Sequence, residues 1–381
     1  MAVLAAAQAA GAGLFSNQES RLCAMVWVAV HDALNSIQRR FAPYLTDTLA
    51  AGAHPAAAAA QATHDVLLAI VPSQSALVNQ QLAAILGGIT AGAAKDDGIA
   101  IGTRCAQAVV TARTGDGAAQ ADVTWPDGTA PGQYRSIPNV LARGVYSRWG
   151  QVRPFVIPDA TALRAPPPDA LASAAYATDF NEVKSVGTIN SSTRTADQTE
   201  IGRFWLENCP PAWNRLARER AVAQALDGWQ QARLYALVHV AMCDALIVNF
   251  ESKYHYAFWR PVTAIRSAET DGNSVTVADT NWLPFTPTPP TPDYTSAHAA
   301  AGGAAEVVLA DLLGGDAQAF TLTSDSLPGA RRSYTRFSQA ALENAESRIY
   351  VGFHFRRAVL LGLDQGRAVG RAVLAGGFRP V

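Results

Sequence analysis

Charge is scarce in this sequence: only 16% of its 381 residues are Asp, Glu, Lys or Arg, and they sum to a formal −1. No basic stripe is present, so a nucleic-acid partner held through its phosphates is excluded. Long apolar runs are missing as well. None reaches the roughly 18 residues that a membrane span requires. The opening Met1-Ala-Val-Leu-Ala-Ala lacks the basic stretch of a signal peptide, which leaves open whether the chain is the mature form of an exported protein. Cysteine is rare, and the four present, Cys23, Cys105, Cys209 and Cys243, lack metal-ligand spacing. They are either free or paired; Cys23 and Cys243 fall in apolar helical stretches, where buried thiols are the ordinary expectation.

Runs of β-branched residues are short, whereas alanine abounds and 49% of the chain is hydrophobic, which favours closely packed helices over sheets. Residues 14–37 predict a helix that is apolar almost all round and therefore buried. Its stretch Ala24–Leu34 aligns without gaps on Ala236–Leu246, with seven of eleven positions identical. Such self-similarity predicts a duplicated unit, hence an all-α fold of two related helical bundles packed into one compact body. The expected division is an N-terminal helical half over 1–121, an irregular connection over 122–168 marked by Trp125-Pro-Asp-Gly and Pro166-Pro-Pro, and a C-terminal half over 169–381. The connection either lines the mouth of a site or simply crosses between the halves. Residues 311–326 read as a loop and 331–354 as a helix. Asp32 and Asp244 are carboxylates inside apolar helices and need partners. Asp244 is expected to hold an arginine of the site below or a neighbouring helix end, and Asp32 to be structural.

Three pieces of the C-terminal half carry the chemistry. Lys253 and Arg260 are seven residues apart, which on a helix puts them on nearly one face two turns apart, with Pro261 ending the helix at the arginine. Ser296 follows a Pro-rich run and sits where the N-cap of the next helix belongs, so free amides there favour an anion. Arg348 and His354 are six apart, about 240° on a straight helix, and Gly352 is the place for the chain to turn. Together with His298 the pieces supply three cations, a hydroxyl and two imidazoles. That set reads as a receptor for a tetrahedral or trigonal-bipyramidal oxyanion, with one imidazole placed to bond its central atom.

The pieces resemble the three-part signature shared by vanadium-dependent haloperoxidases, type-2 phosphatidic acid phosphatases and bacterial acid phosphatases: Lys, six residues, Arg-Pro; Pro-Ser-Gly-His; and Ser-Arg, three residues, Gly, one residue, His, three residues, Asp. Lys253, Arg260 and Pro261 match the first part. Ser296 and His298 match the second, with Thr295 for the proline and Ala297 for the glycine; Ser347, Arg348, Gly352 and His354 match the third, with Ala358 for the aspartate. An alanine at 297 keeps its amide if the position does not need positive φ. The loss at 358 removes a carboxylate expected beside the cluster. The context from about residue 236 onward resembles the soluble haloperoxidases more than the membrane phosphatases.

The resemblance implies two four-helix bundles with the anion site in the C-terminal half, and vanadate as cofactor, its site also open to phosphate. His354 would be the metal ligand; Lys253, Arg260, Arg348, Ser296 and the Ala297 amide would hold the oxygens; Lys253, His298 and His354 would be the catalytic set, with His298 as acid–base group. The implied partners are hydrogen peroxide, halide and an organic acceptor, and a homo-oligomer is left open. Thr291 stands five residues before the serine, where haloperoxidases tend to carry an aromatic or imidazole, which favours bromide or iodide over chloride. The alternative is an acid phosphatase with a phosphohistidine intermediate at His354. A helical scaffold with a relic site would instead leave the cations as unpaired surface residues.

Overall fold

The computed structural model describes residues 14–136 and 143–381; the N-terminal reading made above on residues 1–13 lies outside them. The N-terminal bundle comprises α1 (Ser16–Ile37), α2 (Pro55–Ile70), α3 (Ser75–Gly87) and α4 (Ala93–Arg113). After the irregular connection come α5 (Ala174–Val186), α6 (Ala196–Phe204), α7 (Cys209–Ala223), the long α8 (Gly228–Tyr256) and short α9 (Pro261–Arg266). The chain closes with α10 (Ala297–Leu312), α11 (Phe337–Tyr350) and α12 (Arg356–Gly376). The fold is all-α, as alanine content and self-similarity predict. It differs from the expectation in one hairpin: Phe320–Thr323 pairs antiparallel with Arg331–Tyr334 inside stretches read as loop and helix. Four-residue strands are too short for alternation to separate them from a loop.

Helix α8 is the axis of the molecule. It starts at an Asp227 capping box and is buried nearly continuously from Leu234 to Asn249 because helices pack on every side of it. α1 lies on one flank, α10 and α12 on others, and α7 on a fourth. Against the expectation of no sufficiently apolar run, α8 is long and apolar enough to cross a membrane; 94% of its apolar window is buried by the protein itself, which makes it a core helix. α10 and α12 cross closely: a Cβ on Gly366 would stand 1.9 Å from the Ala300 carbonyl oxygen, so only glycine permits this approach. All four cysteines are buried free thiols.

The two self-similar helices are α1 and α8, and their aspartates do the same work in each half. Asp32 accepts backbone amides from Tyr44, Leu45 and Thr46 at 2.7–2.9 Å, and Asp244 accepts those of Phe155, Val156 and Ile157 at 2.7–3.2 Å. Both carboxylates are fully buried, and each pins an irregular strap over its bundle. The straps meet where the Tyr44 hydroxyl donates to the Phe155 carbonyl at 2.6 Å. Asp244 therefore binds neither an arginine of the site nor a helix end, contrary to the expectation. A buried carboxylate is matched as well by three amides as by a cation, and the strap supplies them.

Replacing either aspartate by alanine leaves three backbone amides without their acceptor, some of them only partly buried. Asp244→Ala and Asp32→Ala should each lower stability by about 3 kcal/mol or more, read as a drop in urea midpoint at constant slope. An alanine variant as stable as the parent would show that the carboxylate does not hold its strap.

Candidate functional site

The pieces converge at the C-terminal end of α8. That helix stops at Tyr256, with Ala257 in the left-handed region at φ 43°, rather than running on to the arginine. Arg260 is the N-cap of α9 with Pro261 in its first turn. Lys253 and Arg260 thus meet across a reversal of the chain, not along one helical face. Their fully buried heads face the Pro-rich run. Lys253 Nζ donates to the carbonyls of Pro292 (2.7 Å) and Asp293 (3.1 Å). Arg260 donates through Nε to the Thr291 carbonyl (2.7 Å), through Nη2 to the Thr291 hydroxyl (3.0 Å), and through Nη1 to the Phe353 carbonyl (2.8 Å).

Ser296 is the N-cap of α10, yet its hydroxyl makes no capping bond and is buried without a partner. Its amide donates to the Ala358 carbonyl at 2.9 Å, tying this helix start to α12. Ala297 is the first residue of α10 and is not among the positive-φ residues, so the position does not call for glycine. Thr295 also has its own function in place of proline: its hydroxyl accepts from Asn249 (2.8 Å) and donates to Gln365 (2.7 Å), bridging α8 and α12. Gly352 turns the chain at φ +81°, and a Cβ there would lie 2.5 Å from the Gly187 carbonyl oxygen. Arg348 and His354 are brought to one side by that turn. Arg348 donates to the Trp205 carbonyl (2.5 Å) and lies over the Phe353 ring.

A cavity of about 420 Å³ joins most of these groups: Lys253, Arg260, Ala297, His298, Arg348 and His354 line it, whereas Ser296, expected to hold an oxygen, is not among its lining residues. No carboxylate lines it, and among the described residues none of the three cations takes part in a salt bridge. The apolar part of the wall comes from Phe15, Leu246, Phe250, Phe353 and the prolines of the 284–292 run. Among the described residues of the 122–168 connection, none lines it. Those described back the site instead: the Tyr134 amide bonds the Ala257 carbonyl, and the Val145 amide that of Pro290.

Burial and mutual repulsion depress every base in the cavity. Burial first, then Arg260, pulls Lys253 well below the usual ammonium value. Burial lowers Arg348 to about 10, with Arg260 adding to the shift. Both imidazoles are held far toward their neutral forms, His354 by burial and then Arg260, His298 by burial and then Arg348. Buried Asp293 offsets only part of this charge on Lys253 and Arg260, and an entering anion would compensate the rest. The buried hydroxyl of Ser296 without a partner and the cations without salt-bridge partners among the described residues fit a tetrahedral oxyanion.

Several contributors were not legible in the sequence. The carbonyls of Trp205 and Glu207, Leu206 and Asn208 of the α6–α7 turn, and Phe15, Ser16 and Asn17 at the start of α1 belong to elements distant in sequence with no motif of their own. Asp293, fully buried, bonds His354 Nδ1 at 2.9 Å. Its only advance signal was a carboxylate adjoining the Tyr294-to-His298 piece.

Known proteins resemble this chain in sequence and in fold. A family model described as the VCPO second helical-bundle domain matches residues 233–378. Vanadium chloroperoxidase of Curvularia inaequalis is 33% identical over 143 residues, which is 30% of this chain; the chain spans only 23% of that relative's length. A bacterial vanadium-dependent iodoperoxidase structure is similar at TM-score 0.82 and 26% identity, over 95% of this chain and 92% of that one. The holo form of a bacterial vanadium-dependent chloroperoxidase shares the fold at TM-score 0.74 and 16% identity, over 94% and 92%.

Two substitutions test the backbone of the site. Ala297→Gly should leave phosphate or vanadate binding, measured by titration calorimetry, within about threefold, because the amide is already available. Gly352→Ala should weaken it by about tenfold or more, because the turn that presents His354 demands positive φ and has no room for a Cβ.

Proposed function

Since the chain belongs to the superfamily of vanadium-dependent haloperoxidases, whose members are enzymes, we propose that it is a vanadate-dependent haloperoxidase, oxidising halide with hydrogen peroxide to halogenate organic acceptors. The observation that carries the reading is the convergence of three buried cations, unpaired with any carboxylate among the described residues, on one imidazole. Lys253, Arg260, Arg348, the Ser296 hydroxyl and the Ala297 amide would hold the oxygens of vanadate, and His354 Nε2 would bond the vanadium; phosphate, alike in shape and charge, would compete for the same place. When bound, vanadate supplies a Lewis acid that activates peroxide without changing valence.

His298 Nε2 lies 3.1 Å from the Glu207 carbonyl, which can only accept. That contact assigns the proton to Nε2 and leaves the Nδ1 lone pair as the base. Its depressed basicity keeps the ring neutral and ready to take a proton from incoming peroxide. Lys253 spends two N–H groups on carbonyls, and its third would be free to donate to an oxygen of the bound oxyanion, where it would draw off negative charge. The apolar walls suit a small neutral acceptor. Iodide and bromide are favoured over chloride. Thr291 buttresses Arg260 where a halide-facing ring would otherwise stand, and the similar bacterial structure is an iodoperoxidase.

One observation favours a second reading, phosphomonoester hydrolysis through a phosphohistidine. Asp293 paired with Nδ1 would make Nε2 of His354 a better nucleophile, supplying the carboxylate that position 358 lacks. The test is one preparation assayed three ways: vanadium content after vanadate loading, iodide- and bromide-dependent halogenation of a dye, and p-nitrophenyl phosphate hydrolysis. Halide-dependent turnover with bound vanadium is expected, and phosphate release without it would reverse the assignment. His354→Ala should abolish both activities. His298→Ala should cut peroxide-dependent turnover by about 10²-fold or more with vanadium still bound.

A further inference from the structure

His354 has polar neighbours at both ring nitrogens. Arg260 Nη1 stands 3.0 Å from Nε2 and 3.4 Å from Nδ1, within reach of both, so it does not by itself choose between them. Asp293 Oδ1 stands 2.9 Å from Nδ1, and an ionised carboxylate can only accept, so Nδ1 carries the proton and Nε2 keeps its lone pair. The tautomer is set by the Asp293 contact. The ring is thereby held with Nδ1–H toward the protein interior and the Nε2 lone pair toward the cations.

Asp293 has the standing of a committed support. It is fully buried; its carboxylate bonds His354 and also takes the Phe355 amide, with Arg260 and Lys253 nearby. Its backbone is fixed on both sides, the amide donating to the Phe258 carbonyl at 3.0 Å and the carbonyl receiving Lys253. Ala358, where the motif aspartate is missing, is fully buried and lines the same small cavity as Asp293, together with Phe258 and Phe355. The family signature carries its carboxylate at position 358, in the first turn of α12; here the carboxylate on the imidazole comes instead from the segment before α10.

We propose that Asp293 is the positioning residue of this site: it locks His354 as the Nδ1–H tautomer and so replaces, from the second motif piece, the carboxylate absent at position 358. The inference rests on the oxyanion reading of the cavity. It does not depend on which reaction follows.

The experiment measures vanadate and inorganic phosphate binding to the full chain by titration calorimetry, alongside ring ¹⁵N spectra that report the His354 tautomer. It uses the wild type, Asp293→Ala, Asp293→Asn, Ala358→Asp and the double variant Asp293→Ala/Ala358→Asp. The wild type should show Nδ1–H. Asp293→Ala should bind vanadate about 10–100-fold more weakly, the range for lost support of a metal ligand, with its tautomer no longer fixed. The double variant should regain at least half of that loss on a logarithmic scale, which a purely structural defect would not allow; Ala358→Asp alone should gain nothing, because Nδ1 is already bonded. If Asp293→Ala does not fold, Asp293→Asn carries the test: it retains an acceptor oxygen and should keep the tautomer while weakening vanadate binding severalfold. A wild-type Nε2–H tautomer, undiminished binding in both single variants at 293, or no recovery in the double variant overturns the proposal. Failure of the wild type to bind either oxyanion would instead overturn the reading of the cavity itself.

Discussion

Three positive charges are taken out of water at the end of α8 with no carboxylate in salt-bridge contact among the described residues and only Asp293 near enough to offset part of their field, and much of the surrounding structure is arranged to tolerate that. Lys253 is 1% exposed, Arg260 1% and Arg348 3%, so solvent does little to stabilise them. Backbone carbonyls do it in part: Pro292 and Asp293 for the lysine, Thr291 and Phe353 for one arginine, Trp205 for the other. Carbonyl dipoles hydrogen-bond a cation but do not neutralise it. The residual field adds to burial in depressing the basicity of Lys253, Arg348, His298 and His354, and it favours a compact anion. Carbonyls aimed inward require non-helical backbone. This is why the Pro-rich run, the reversal at Ala257 and the turn at Gly352 all border the cavity.

The duplicated architecture explains why this happens in only one half. Asp32 and Asp244 hold their straps in the same way, and α1 packs along α8 as its counterpart. The N-terminal copy has diverged where chemistry would be needed. The residues that follow Asp32 to the end of α1 include no cation, whereas α8 continues for twelve residues beyond Asp244 and carries Lys253 in its last turn. The N-terminal bundle is still not a bystander, since the first residues of α1 form part of the cavity wall. The shared frame is a scaffold; the anion site is an extension of one arm of it.

What could be read from the sequence was the part that has a period or a pattern. Helices of Ala-rich composition announce themselves over ten or more residues, and the Ala24–Leu34 repeat exposed the duplication. The motif residues could be named because the same side-chain types recur at set separations. Their route to one point could not. Seven residues between Lys253 and Arg260 fit a helix equally well as a reversal, and only the left-handed Ala257, an unusual conformation for alanine, decides it. Hairpin β1–β2, named here for Phe320–Thr323 and Arg331–Tyr334, was hidden by its brevity. Asp244 was assigned a cation because cations were visible in the sequence, whereas backbone amides, present at every residue, were not.

The departures from the family signature are better understood together than singly. Thr295 in place of proline supplies a hydroxyl that links Asn249 of α8 to Gln365 of α12, and Gln365 donates on to Ser252 at 2.8 Å, one residue before Lys253. Both ends of this network are buried, so it fixes the register of the two helices that deliver Lys253 and the α12 start. Ala297 in place of glycine is helical from the outset, and its Cβ lowers the entropy lost when α10 forms. Position 358 lies one turn into α12, the helix aligned by that network, and a second carboxylate there would face Asp293 across a cavity of about 10 Å³. Two carboxylates at such separation could not both ionise. With Asp293 present, alanine is therefore the residue that position 358 accommodates best, and the three departures describe one alternative way of building the same anion receptor.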